Sequence, residues 1–284
     1  MRKTVKIDNK DSLILRFLYN TYLGRIILLL ITRVFFSKVI TKFLDSRTSK
    51  ILIPIFNKKY KINKNLYEKK KYKSFNDYFI RNKKEEYINI EKDSNILISP
   101  CDCKISVYEA NNKIFKIKHS FYNLESLLKS KMLENEYNEG YVVICRLEPG
   151  DFHRYCYIDD GYHDAHKKIK GVLHTVRPIA INKKNVFITN ARSYTVLETT
   201  NFGSVIQIEV GALMVGKIKN HHINYGFKKG EEKGYFKYGG STIILLLKKE
   251  MVEIDEELIE NTNNGYETIV NIGEKIGTKK GNNI

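Results

Sequence analysis

The 284 residues are 42% hydrophobic and 29% charged, so the chain carries enough apolar content for a sizeable core and too much for global disorder. The net charge of +17 is lopsided: residues 1–74 hold 19 basic and 4 acidic side chains, whereas residues 75–284 hold 30 and 28. A basic front end on a nearly neutral body argues against a nucleic-acid groove, and four cysteines are too few for a disulfide scaffold.

In chain order, no secretory signal stands at the start, and the run Ile26–Ile31 is far short of the roughly 20 apolar residues of a bilayer span, so no crossing is expected. Leu13 to Leu44 read as helix, with Arg16, Arg25, Arg33, Lys38 and Lys42 among large apolar residues. Composition alone suits a helix in the lipid interface and a helix pair packed on the protein's own body equally well. Pro54 breaks the pattern, and residues 57–73 read as a solvated linker with a short helix. SFNDYFIR from Ser74 to Arg81 predicts a short capped helix with an aromatic face. A second helix is expected from Asn123, with Leu124, Leu127 and Leu128 on one side. Strands are expected over residues 103–108, 113–118, 141–147, 193–198, 205–210 and 242–247, with a hairpin connection at 199–203. The fold class is therefore α+β: a basic helical segment, 1–73, ahead of a β-rich domain, 74–284.

Four short segments could carry chemistry: SPCDC (99–103), PGDFHR (149–154), VGALMVG (210–216) and GGST (239–242). Singly each is weak. Together they supply Asp102, His153 and Ser241 at strand edges, the inventory for activating a hydroxyl. Two glycines precede Ser241, so the nearest electrophile to its hydroxyl is its own preceding peptide bond, and the site suits self-cleavage.

With these residues in view, the chain closely resembles the phosphatidylserine decarboxylases, a pyruvoyl-dependent family. SFNDYFIR, ISPCDCKI, RLEPGDFHRYCYIDDG, GVLHTVRPIA, VIQIEVGALMVGKI and KKGEEKGYFKYGGSTIILLL carry the likeness, from about Arg16 to Gly277. The resemblance implies a precursor that cuts itself between Gly240 and Ser241, giving a β chain of 1–240 and an α chain of 241–284 that together build the catalytic domain. Asp102, His153 and Ser241 would be the self-processing triad, with Ser241 becoming the covalent pyruvoyl cofactor. The implied reaction converts phosphatidylserine to phosphatidylethanolamine through a Schiff base to that group. The implied setting is peripheral, on the cytoplasmic face of an anionic cell membrane, with residues 13–44 as the contact and room for a homo-oligomer.

Two departures matter. Many relatives carry a second His where this chain has Cys156, and a Gly where it has Cys103. His153 would then serve both processing and reprotonation, with His174 as the alternative imidazole and Cys156 read more readily as an inert buried thiol. Zinc on Cys101, Cys103, His163 and His166 is disfavoured, because C-x-C and H-x-x-H are not recognised half-sites together; no metal is expected. His221 and His222 have no motif support. A non-catalytic basic lipid-binding module and a Ser-His-Asp esterase are the rival readings.

Overall fold

The computed structural model describes residues 1–7, 12–111, 114–117, 120–181, 183–213, 217–238 and 241–281. The helical front end is not one element. Helix α1 (Leu13–Asn20) and helix α2 (Tyr22–Ile31) meet at a bend of 99°. Thr21 sits at the bend in extended conformation, and its hydroxyl accepts from Gly24 N, capping α2. A side chain at Gly24 would put its Cβ 2.1 Å from the Phe17 carbonyl oxygen, so the hairpin closes only around glycine. Helix α3 (Val34–Leu44) and helix α4 (Leu52–Tyr60) follow. Pro54 does not end a helix as expected; it lies in the first turn of α4, where a missing N–H costs nothing. The expected linker is likewise more structured, since Asn57–Tyr60 complete α4 and Tyr67 is buried. Helix α5 (Phe75–Phe79) starts as the capping pattern predicts, with Ser74 Oγ accepting from Asp77 N.

Five long strands form the middle of an entirely antiparallel ten-stranded sheet: β1 (Cys103–Ala110), β2 (Gly140–Leu147), β3 (Arg192–Thr199), β4 (Gly203–Val210) and β5 (Ser241–Lys248). Their spatial order is β1-β2-β5-β4-β3. The β3–β4 hairpin closes at Thr199 opposite Gly203, as the sequence suggests. The expected strand at 113–118 is present as Ile114–Ile117, and its end residues lie outside the described ones.

Strand β5 is central and buried on both faces, which is why it reads as an unbroken run, IILLL, without alternation. Ile243, Leu245 and Leu247 join Ile105, Val143, Leu147, Phe152, Tyr155 and Phe236 in one layer. Ile244 and Leu246 face a second layer that includes Leu18, Tyr19 and Leu28 of α1 and α2. A third cluster gathers Leu44, Phe56, Phe75, Tyr78 and Phe79. Residues 1–73 are not set apart from the body: Thr4–Lys6 pair with Tyr266–Thr268 at the edge of the main sheet, and α1 and α2 contribute to its core.

No single helix among the described residues is long and apolar enough to cross a membrane; α1 and α2 pass that test only as a bent pair.

Candidate active site

Strand register brings the motifs to one end of the sheet. Ser241 opens β5 directly opposite Leu147, the last residue of β2. Lys104 of β1 pairs with Arg146, so Cys103 falls beside Leu147 on the other side. The segment before β1, which carries Asp102, and the loop after β2, which carries His153, therefore meet at the start of β5. Ser241 is fully buried, and its Oγ has no hydrogen-bond partner among the described residues. An unbonded buried hydroxyl costs stability, so its presence at a strand start fits a group kept for reaction. Gly239 and Gly240, the expected cleavage side, lie outside the described residues, as does 214–216 of VGALMVG.

His153 is also fully buried, with Nδ1 2.9 Å from the Asp151 carbonyl oxygen. Its own carbonyl accepts from Phe236 N at 3.0 Å, on the strand leading toward residue 241. The support comes from SFNDYFIR. The Phe79 ring lies 4.2 Å from the His153 ring and 5.1 Å from that of Tyr238, so one side chain touches both the imidazole and the chain two residues before Gly240. Buried Arg81 donates to the Gly150 carbonyl at 3.0 Å, and Arg154 Nε donates to the Ile80 carbonyl at 2.9 Å. The aromatic face legible in the sequence is thus the bed of the His153 loop, a role that spacing could not reveal.

Asp102 has two firm partners of its own. Its carboxylate is ion-paired with Lys83 and accepts from Ile272 N at 2.9 Å, while His153 Nδ1 lies against the Asp151 main-chain oxygen. Cys156 feels the Asp102 charge: Cys156 N donates to the Pro100 carbonyl, and burial, with a smaller push from that charge, drives the thiol up to about 12. Cys156 is therefore a protonated thiol near neutrality. Burial also pushes the Asp151 carboxyl up to about 6, against the opposing hydrogen bond it accepts from Glu148 N. A carboxyl raised in this way favours the fold while protonated, so its contribution is complete below about pH 4 and is lost as the pH rises through 6.

His174 lies in another wall of the same end, with Nδ1 3.1 Å from the Tyr19 hydroxyl and its basicity lowered by burial and by Lys184. The imagined Cys–His metal set is not assembled. His163 bonds Tyr157, and His166 bonds Thr195 and the His222 carbonyl; both are held below their usual basicity, first by burial. Instead Cys101 and Cys103 meet Cys145, with all three sulfurs within 4.8 Å of one another and buried. Burial raises the Cys101 and Cys103 thiols, and any thiolate would form on Cys145, which accepts from both. Three thiols could hold one soft ion but fall short of the four ligands of a structural zinc site.

Sequence reasoning missed a buried ion pair on the layer that Ser241 faces. Lys233 Nζ lies 2.7 Å from Glu209 Oε1, both side chains are inaccessible, and Asn220 bridges them to the Tyr155 hydroxyl. Glu209 pairs with Ile243, two residues into β5. Burial lowers the Lys233 basicity and Glu209 opposes that shift. Lys233→Met would strand a buried carboxylate, with an expected loss of about 3–5 kcal/mol, or about 10 °C in Tm. Adding Glu209→Gln should recover at least half of it, read by thermal unfolding of both variants.

A sequence profile described as phosphatidylserine decarboxylase matches residues 75–278, from the helix under His153 to the last strand. A protein of Clostridium acetobutylicum named phosphatidylserine decarboxylase proenzyme 2 is 49% identical over 93% of this chain and 91% of its own length. Proteins named phosphatidylserine decarboxylase proenzyme from Clostridium botulinum (40%, over 93% of this chain and 92% of their own) and Clostridium perfringens (38%, over 98% of each) are also similar. The matched span contains every residue brought together at the start of β5, so the chain belongs to the phosphatidylserine decarboxylase family and is a decarboxylase.

Proposed function

We propose that this chain decarboxylates phosphatidylserine at a membrane surface, after cutting itself between Gly240 and Ser241. The observation that carries the reading is the buried, unbonded Ser241 hydroxyl at the head of the central strand, with His153 and Tyr238 held against one phenylalanine. His153 takes the hydroxyl proton as Oγ bonds to the Gly240 carbonyl carbon. The amide bond to nitrogen 241 then breaks, leaving an ester. Removal of the Cα proton of residue 241 expels the carboxylate of residue 240, and water replaces the nitrogen, which leaves as ammonia. The fit of residue 241 to a carbonyl cap rests on its burial and on having no hydrogen bond to give up. That cap supplies an electron sink for the pair left when CO2 departs. The chain's own part is to exclude water with two apolar layers and to return a proton, a role assigned to His153 because the Cys156 thiol is too weak an acid.

Cleavage would not release the smaller fragment. Strand β5 is paired along its length with β2 and along five residues with β4, so the 44 residues from 241 onward stay woven into the sheet. Membrane attachment is supported by α1 and α2, where Leu13, Ile14, Tyr22, Leu23, Leu29 and Leu30 are all more than half exposed beside Arg16 and Arg25. An anionic bilayer satisfies both features, at about 1 kcal/mol per basic residue near its surface.

Denaturing mass analysis tests the reading. Two fragments meeting at 240/241 are expected, the smaller lacking a free amino terminus and reacting with hydrazine. A single intact chain in a preparation that releases CO2 from phosphatidylserine would overturn it.

A further inference from the structure

We propose that the cavity between the α1–α2 hairpin and His174, Lys183 and Lys184 seats the phosphodiester of the lipid, with Arg25, Lys183 and Lys184 as its cationic holders and His174 as a neutral donor. The inference rests on the functional reading above and assigns that site its anion-binding residues. The cavity measures about 420 Å³, within the usual range for a small-ligand site. Leu28 and Leu29 form its apolar wall, and Tyr19 closes the inner end.

The charge in this cavity is unbalanced. Among the described residues no carboxylate lies within ion-pair distance of Arg25, Lys183 or Lys184. Lys183 is instead steered by neutral acceptors, Asn20 Oδ1 at 2.6 Å and the Tyr19 carbonyl at 3.4 Å, which orient an ammonium without neutralising it. Three cations around a partly apolar pocket call for an anion that carries apolar groups with it.

Thr175 N–H donates to the Tyr19 oxygen at 3.2 Å, and the same oxygen lies 3.1 Å from His174 Nδ1; with the phenol donating to Nδ1, the ring carries its own proton on Nε2. His174 thus offers an N–H while remaining neutral.

The cavity is tied to the reacting strand. Buried Asn190 donates to the His174 carbonyl and the Gly211 carbonyl, both at 2.8 Å, and accepts from His174 N. Val210 pairs with Thr242, and continuing that register puts Gly211 beside Ser241. His174 is therefore braced, through the Asn190 side chain, to the residue that lies one strand, about 5 Å, from residue 241, and a serine headgroup has only a few bonds between its phosphorus and its amine. The exposed apolar side chains of α1 and α2 lead away from the same cavity and would take the tails.

The test is titration of dihexanoyl phosphatidylserine, kept below its micelle concentration, into the wild-type chain and a Lys183→Gln/Lys184→Gln variant. At least tenfold weaker binding is expected, from the loss of two charge-assisted contacts, with self-cutting by denaturing mass unchanged. Equal affinity overturns the proposal, as does a loss seen only with anionic vesicles, which would make these lysines recruiters of the surface. Inorganic phosphate and O-phosphoserine should bind at least tenfold more weakly than the tailed lipid; equal binding would mark a free-anion site and overturn the lipid assignment. Should the double variant fail to cut itself, Arg25→Gln, on an exposed position, gives the same comparison. Binding is read without turnover, so a wild-type chain that stays uncut and releases no CO2 defeats the functional reading while leaving this measurement decisive.

Discussion

Ser241→Ala is expected to yield one uncut chain of 33.2 kDa that releases no CO2 from phosphatidylserine, with a Tm equal to or slightly above that of wild type. The two halves of this expectation have separate causes. Chemistry fails because the only oxygen able to attack the preceding carbonyl from within residue 241 is gone. Stability holds because the missing hydroxyl is fully buried without a hydrogen-bond partner among the described residues, so its removal ends a desolvation cost and breaks no bond. The Ala methyl keeps most of the volume at the head of β5, opposite Leu147. Denaturing mass, thermal unfolding and CO2 release measured on one preparation check all three. A variant that still releases CO2 removes Ser241 from the mechanism. One that unfolds more than about 5 °C below wild type, the shift expected for a loss of about 2 kcal/mol, shows that the hydroxyl was structural.

Much of this site is legible in the sequence because its parts sit at strand ends with turn residues. Ser241 after two glycines and the PGDFH loop are both found that way, and Leu147 paired with Ser241 explains why they converge. What could not be read depends on partners far apart in the chain. The SFNDYFIR helix shows an aromatic face at helical spacing, but that Phe79 lies between His153 and Tyr238 follows only from packing across 74 and 159 positions. Glu209 and Lys233 look like ordinary strand charges until both are found inaccessible. Strand β5 gives no alternation, since layers cover both its faces, so its central place is invisible to periodicity. The front helices were located but not their breaks, because the Thr21 bend depends on how closely Gly24 approaches the Phe17 carbonyl. The three-cysteine cluster is illegible for a similar reason: the register of β1 on β2 sets Cys145 opposite Ile105, diagonal to Cys103, and no spacing rule announces that.

The second large effect is expected at His153, and the contrast with Cys156 gives it force. His153→Ala should slow self-cutting by about 10²–10⁴-fold, the usual worth of a positioned acid–base group, whereas Cys156→Ala should leave it within a few-fold. The difference follows from protonation. A thiol pushed up to about 12 by burial holds its proton throughout the neutral range and cannot accept another from Ser241. An imidazole can, while unprotonated. Cys156 stands beside the Asp102 segment, its N–H on the Pro100 carbonyl, whereas the His153 ring rests on Phe79 and on the Asp151 carbonyl. Asp102, held by Lys83 and the Ile272 N–H, then acts through the loop it anchors, and Asp102→Asn should cost less than His153→Ala. Time courses of fragment appearance for the three variants separate these roles. If Cys156→Ala is the one that stops cutting, the base has been assigned to the wrong residue.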